Sequence, residues 1–184
     1  MSTALTLDTT NGGTTTSGGR SSFTIPFVTT GANRLAILSF SNFNGNGNAT
    51  SVTSTGLTWT ELASQSVSDS FYTVQSSVWT ASVPTMGTYM VTVNGPFSME
   101  MGAIVDAYYG GLSSAPVIPV VTANQFSTYA GATYVVPQGV VTPAYNSSWI
   151  VALLASTAYA PSNQISTGYT STTIWTSLLL GPRL

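Results

Sequence analysis

Four acids stand in the body of this sequence where chemistry could be sought: Glu61, Asp69, Glu100 and Asp106. A glycoside hydrolase uses two carboxylates roughly 5 to 10 Å apart across the bond it breaks. Glu100 and Asp106 fall on one face of a single predicted strand. At ~3.3 Å per residue they stand roughly 20 Å apart, too far to flank one bond. Glu61 belongs to another predicted strand, and the sequence leaves its neighbour open. The plainer reading is a set of solvent-facing strand acids. Serine is abundant, but a serine nucleophile needs a base, and the chain has neither His nor Lys. It also lacks a Gly-x-Ser-x-Gly elbow and a phosphate-cradling glycine loop followed by Lys. The sequence therefore points away from an enzyme. No catalytic residue, cofactor or metal site is expected.

Composition narrows the rest. Charged residues make up 4% of the chain, against a usual figure of about 25%. Hydrophobic residues make up 43%, so a packed core is expected. With no Cys, disulfides and thiolate metal sites are excluded. Three arginines cannot neutralise a phosphate backbone, so nucleic acid is not an expected partner. The formal charge is -2. Protonating every carboxylate would move it only to about +3, so the chain as a whole is expected to tolerate acid.

A surface so poor in charge is weakly guarded against self-association. Either hydroxyls and amides alone keep it soluble, or much of it is buried in an assembly or carries glycan. Asn48-Ala-Thr and Asn146-Ser-Ser are glycosylation sequons, so Asn48 and Asn146 are candidate glycan sites. The run Asn44 to Asn48 has no carboxylate, so it reads as a turn-rich loop and not as a cation site. Trp79 and Trp149 sit in apolar runs and are expected in the core. Trp59 and Trp175, beside threonines, are candidates for a sugar-stacking or interface surface.

The elements that would position these residues are all strands. From Thr88 to Val93, Tyr89, Val91 and Val93 alternate with Thr88, Met90 and Thr92, the period of a half-buried strand. Val78 and Trp79 close the strand before it, and Pro84 to Gly87 make the connection. Further strands are predicted at Ser22 to Val28, Arg34 to Phe43, Gly56 to Ser66, Phe71 to Ser82, Ser98 to Tyr109, Val117 to Thr122, Thr133 to Val136, Ser148 to Ser156 and Thr172 to Leu180. Pro26 places its strand at an edge or a bulge. Asn94-Gly95-Pro96 is expected to end the strand before it. Residues 1–20 read as a flexible arm: a short strand at Ala4, Leu5, Thr6 and Leu7, then a Gly/Thr/Ser-rich linker from Asn11. That strand could pair with its own sheet or with a neighbour's. Residues 21–184 form one domain. The expected fold is all-β, a single antiparallel β-sandwich of jelly-roll or immunoglobulin-like type with about nine or ten strands. The first eight residues do not read as a leader, and the apolar run at Ile150 is too short to span a bilayer, so membrane insertion is not expected.

A resemblance adds to this. Asn33-Arg34-Leu35, Gly56-Leu-Thr-Trp-Thr60, Trp79 with Pro84-x-x-Gly87-Thr-Tyr-x-Val-Thr-Val93, and Ala107-Tyr-Tyr-Gly-Gly111 resemble a pattern in β-sandwich domains of prokaryotic surface proteins and of phage or archaeal-virus particles. In composition the chain also resembles subunits of extracellular archaeal filaments, in which an N-terminal strand completes the next subunit's sandwich. The resemblance implies a non-catalytic module for assembly or attachment. Three readings follow. The first is a self-assembling structural protein of the virion, of capsid-decoration, turret or fibre type. Its partners would be copies of itself and other virion or surface proteins. The second is an extracellular filament or adhesin subunit built by donor-strand exchange. The third is a carbohydrate-binding module.

Overall fold

Alternating β-branched, aromatic and hydroxyl side chains dominate this chain, and such patterns fit a pleated surface buried on one side. The computed structural model describes residues 6–14, 20–43, 49–68, 73–109, 150–154 and 173–177. All its regular elements are strands: β1 (Thr6–Thr14), β2 (Arg20–Thr29), β3 (Arg34–Phe43), β4 (Ser51–Thr53), β5 (Thr60–Ser68), β6 (Thr73–Val83), β7 (Gly87–Tyr109), β8 (Ile150–Leu154) and β9 (Thr173–Ser177).

Two antiparallel sheets share β7. The larger runs β1-β7-β3-β6-β5. The smaller places β2 and β4 on either side of the first part of β7. Within β7, Gly87 to Asn94 pair with β2, while Glu100 to Tyr108 pair with β3. Gly95 and Pro96 fall between these two registers. The sequence predicts that they end the strand, yet the chain stays extended through them. Proline cannot donate to a ladder and glycine has no side chain to pack, so pairing lapses there while the backbone continues. The expected stop is instead a passage from one sheet to the other.

Other boundaries shift for local reasons. β1 runs on through Asn11, Gly12 and Gly13, where composition suggested linker, because β7 supplies a continuous antiparallel partner. β5 begins at Thr60 and not at Gly56, since Gly56 adopts φ 79° in a tight turn closed by Leu57 N–H to Ser54 O. β4 was not foreseen; three residues are too few for a periodic signal. β8 and β9 pair in parallel, with Ile150 opposite Thr173, so the expected antiparallel arrangement does not extend to them. The strands expected at Val117 to Thr122 and Thr133 to Val136 lie outside the described residues. No helix among the described residues is long and apolar enough to cross a membrane.

The two sheets meet over one apolar cluster. β2 contributes Ile25 and Phe27, the first part of β7 contributes Val91 and Val93, and β3 contributes Ala36, Leu38 and Phe40. Met101, Ala103, Val105 and Ala107 come from the second part of β7, and Trp79, Ala81 and Val83 from β6. This is the inward set that the alternation in β7 anticipates. Phe27 and Tyr89 tilt against each other with ring centroids 6.3 Å apart. Each fully buried side chain of this size contributes roughly 1.5–3 kcal/mol. β3 is central and is buried on both faces. On the face away from this core, Ile37 and Tyr108 gather Leu35 and Val78.

Ser39 lies on that second face and is buried. Its hydroxyl finds no hydrogen-bond partner among the described residues. A buried hydroxyl without a partner is destabilising. Ser39→Ala is therefore expected to raise stability by about 1 kcal/mol, read as a higher urea midpoint at unchanged slope. A lower midpoint would mean that the hydroxyl is in fact satisfied.

Candidate functional site

β1 ends the larger sheet, with β7 as its ladder partner. Its side chains also reach β2 in the smaller sheet. Thr9 Oγ1 donates to the Val28 carbonyl, and Asn11 Nδ2 donates to the Pro26 carbonyl. Pro26 has no N–H to offer, so a side-chain donor from β1 suits that edge. The sequence places Pro26 at an edge or a bulge; β2 pairs with β7 alone and so occupies one end of its sheet.

Asp8 anchors the start of β1. It sits at a register shift between Leu7 and Thr9, which turns its side chain out of the ladder. Its carboxylate accepts the Thr30 N–H at 2.9 Å and the Arg34 Nε–H at 3.1 Å, and it also accepts the Thr30 hydroxyl. Arg34 opens β3, just after Asn33, which adopts φ 55° in the turn from β2. Asparagine tolerates that left-handed region better than most residues. The guanidinium also donates to the Ala32 carbonyl at 2.8 Å and lies 4.6 Å from the centre of the Tyr109 ring. It fills the space over Gly31, where an added Cβ would collide with an Arg34 nitrogen. One cluster thus ties the start of β1 to β2, β3 and the end of β7.

The Asp8 side chain is 4% exposed and that of Arg34 17%. Burial alone would raise the Asp8 pKa. The hydrogen bonds from the Thr30 side chain and backbone and the nearby Arg34 charge outweigh it, so the pKa lies below its ordinary value of 3.8. A lowered carboxylate pKa stabilises the fold fully above the unfolded value, and that contribution fades as pH falls through the folded value. Acidification below about pH 4 is therefore expected to loosen the start of β1 before the rest of the fold. Amide hydrogen exchange across a pH series would show this as early loss of protection in β1 with β3 and β6 intact. Equal loss in all three strands would refute it.

The residues singled out in the sequence are scattered. Ala4 and Leu5 lie outside the described residues. Thr6 and Leu7 open β1 opposite Tyr109 and Tyr108, and Leu7 is exposed. Trp59 is half-buried against the core, and its Nε1–H donates to Ser54 Oγ at 3.0 Å. Trp175 lies on β9 opposite Ala152. Asn48, Asn146 and Asp69 lie outside the described residues. Glu61 is exposed on β5, and Glu100 pairs with Phe43. Asp106 is buried, with the Tyr108 hydroxyl 3.4 Å from its Oδ2. β3 and β6 separate Glu61 from β7, a span of roughly 14 Å at the usual strand spacing. Among the described residues, no three metal-ligating acids converge.

Sequence reasoning passed over Asp8, Thr9, Asn11 and Arg34. One signal was present. In a chain with so few charges, an Asp directly after one predicted strand and an Arg at the start of another are natural partners.

Comparison with protein-family models, with characterised proteins and with solved structures gives no match to this chain.

Proposed function

We propose that this chain is a non-enzymatic structural protein that works by self-assembly, as a virion component of decoration, turret or fibre type. Its building block in this reading is a β-sandwich of jelly-roll or immunoglobulin-like order. The observation that carries the reading is the placement of β1. This strand, the first among the described residues, ends a sheet and is held by one ladder and a few side-chain bonds. Such a strand can offer the same hydrogen bonds to a neighbouring copy. The apolar exposure of Leu7, Val28, Met86 and Met90 on a chain with few charges supports association further. The motif resemblance between Asn33 and Gly111 supports an assembly or attachment module, on a particle or on a cell surface.

A second reading is an extracellular filament or adhesin subunit. The same strand favours it, because donor-strand exchange needs an N-terminal strand at a sheet edge. The test is the mass of the native protein by light scattering, with electron microscopy of the same sample. Closed rings or trimers support the virion reading, and open filaments support the second. A monomer at high concentration would overturn both.

A further inference from the structure

Four Asn-Gly dipeptides occur in the chain, beginning at Asn11, Asn44, Asn46 and Asn94. Glycine after asparagine leaves the next peptide nitrogen unshielded by any Cβ and free to rotate. In β1 the Gly12 N–H donates to Asn11 Oδ1 at 2.9 Å. The Asn11 amide is thus folded back onto the nitrogen that follows it. Gly12 is exposed to water. Asn94 sits in a strand as well, and its Nδ2 also donates, to Ser51 Oγ at 3.0 Å; the difference lies in the following nitrogen, since among the described residues only at Asn11 does the glycine N–H fold back onto the asparagine Oδ1. The remaining two dipeptides lie outside the described residues.

We propose that Asn11 is a self-modification site, at which the Gly12 nitrogen attacks the Asn11 side-chain amide. The Gly12 nitrogen loses its proton to hydroxide and bonds to Asn11 Cγ. The bond from Cγ to Nδ2 breaks, and Nδ2 leaves as ammonia with a proton taken from water. A five-membered imide remains. Water then opens one of its two carbonyl–nitrogen bonds, giving aspartate or isoaspartate. The net change is one water consumed and one ammonia released, with no oxidation or reduction.

The position gives the reaction a consequence. Asn11 Nδ2 is the donor to the Pro26 carbonyl. The product carboxylate cannot donate and sets negative charge against that oxygen. Isoaspartate also inserts a carbon into the strand backbone, which disturbs the ladder to β7 beyond it. The modified chain therefore holds β1 less firmly to both sheets. This chemistry is independent of the assembly reading; only its use as a clock on strand release rests on that reading.

The test incubates the full-length protein in mildly alkaline buffer and cleaves after Arg20. Residues 1–20 contain Asn11 as their only side-chain amide, so a mass gain in that peptide reports one site. Isoaspartyl methyltransferase labelling identifies the isomer. We expect Asn11 to convert about tenfold faster than Asn94, and Gly12→Ala to slow it by about tenfold. An added Cβ at Gly12 meets nothing closer than 3.4 Å, so that variant should fold. Asn11→Asp should reproduce the loosening of β1 in hydrogen exchange without any reaction. Conversion of Asn94 as fast as Asn11, or no gain in the 1–20 peptide while urea-unfolded protein gains it, would overturn the proposal. Either result would leave the light-scattering test of assembly untouched.

Discussion

Phe40→Ala is expected to destabilise the protein by about 3–5 kcal/mol. Phe40 is fully buried at the centre of β3, opposite Ser77 on β6 and Ala103 on β7. Truncating it removes transfer energy and leaves a cavity that two sheets must close around. Domains of this kind have only about 5–15 kcal/mol of total stability, so the variant should lie near its unfolding threshold. Urea unfolding followed by tryptophan fluorescence measures this directly. Phe23→Ala serves as the internal control, because Phe23 only borders the cluster and should cost less. Equal small losses at both positions would mean that the two sheets do not close over Phe40 as described.

Deleting residues 1–20 is expected to abolish association while leaving a folded, less stable monomer. The deletion removes the β1 ladder to β7, the Asp8 contacts with Thr30 and Arg34, and the two bonds to the β2 edge. It also removes Arg20, which pairs with Met99, and leaves the pairing of β2 from Ser22 onward and of β3, β5 and β6 untouched. Light scattering should fall to the monomer mass, and far-ultraviolet circular dichroism should keep its strand signal. Particles of unchanged size would sink strand exchange, and a collapsed strand signal would show that β1 is integral to the fold itself. Asp8→Asn separates the cases more gently. It keeps the shape of the anchor but weakens acceptance from Arg34 and Thr30, so it should shift association without unfolding the body.

The strand content was legible in the sequence because side-chain alternation follows from the pleat alone. The inward set of Val91, Val93, Ala103, Val105 and Ala107 could be read from periodicity without knowing any partner. Pairing could not. Nothing local to Asn94-Gly95-Pro96 says whether a strand stops or changes sheets, because both outcomes call for the same two residues. β1 was foreshortened for a similar reason. Asn11, Gly12 and Gly13 have poor strand propensity, and only the long partner in β7 makes them a strand. The anchor was harder still. Asp8 and Arg34 lie far apart in sequence, and their meeting depends on a register shift in one strand and a left-handed residue before the other. The glycan and aromatic sites were read from sequon triplets and from immediate neighbours, which do not fix burial. For Trp59 the fold uses the indole N–H internally.

The shared strand β7 also bears on how the molecule carries load. Two sheets held together only by side-chain packing can be peeled apart by a force across the interface, contact by contact. Here the backbone of β7 is built into both ladders. Tension between the sheets therefore runs along covalent bonds from Gly87 to Tyr109, and yielding requires hydrogen bonds on both sides of that strand to shear together. A domain of this design is tied through its middle by its own backbone.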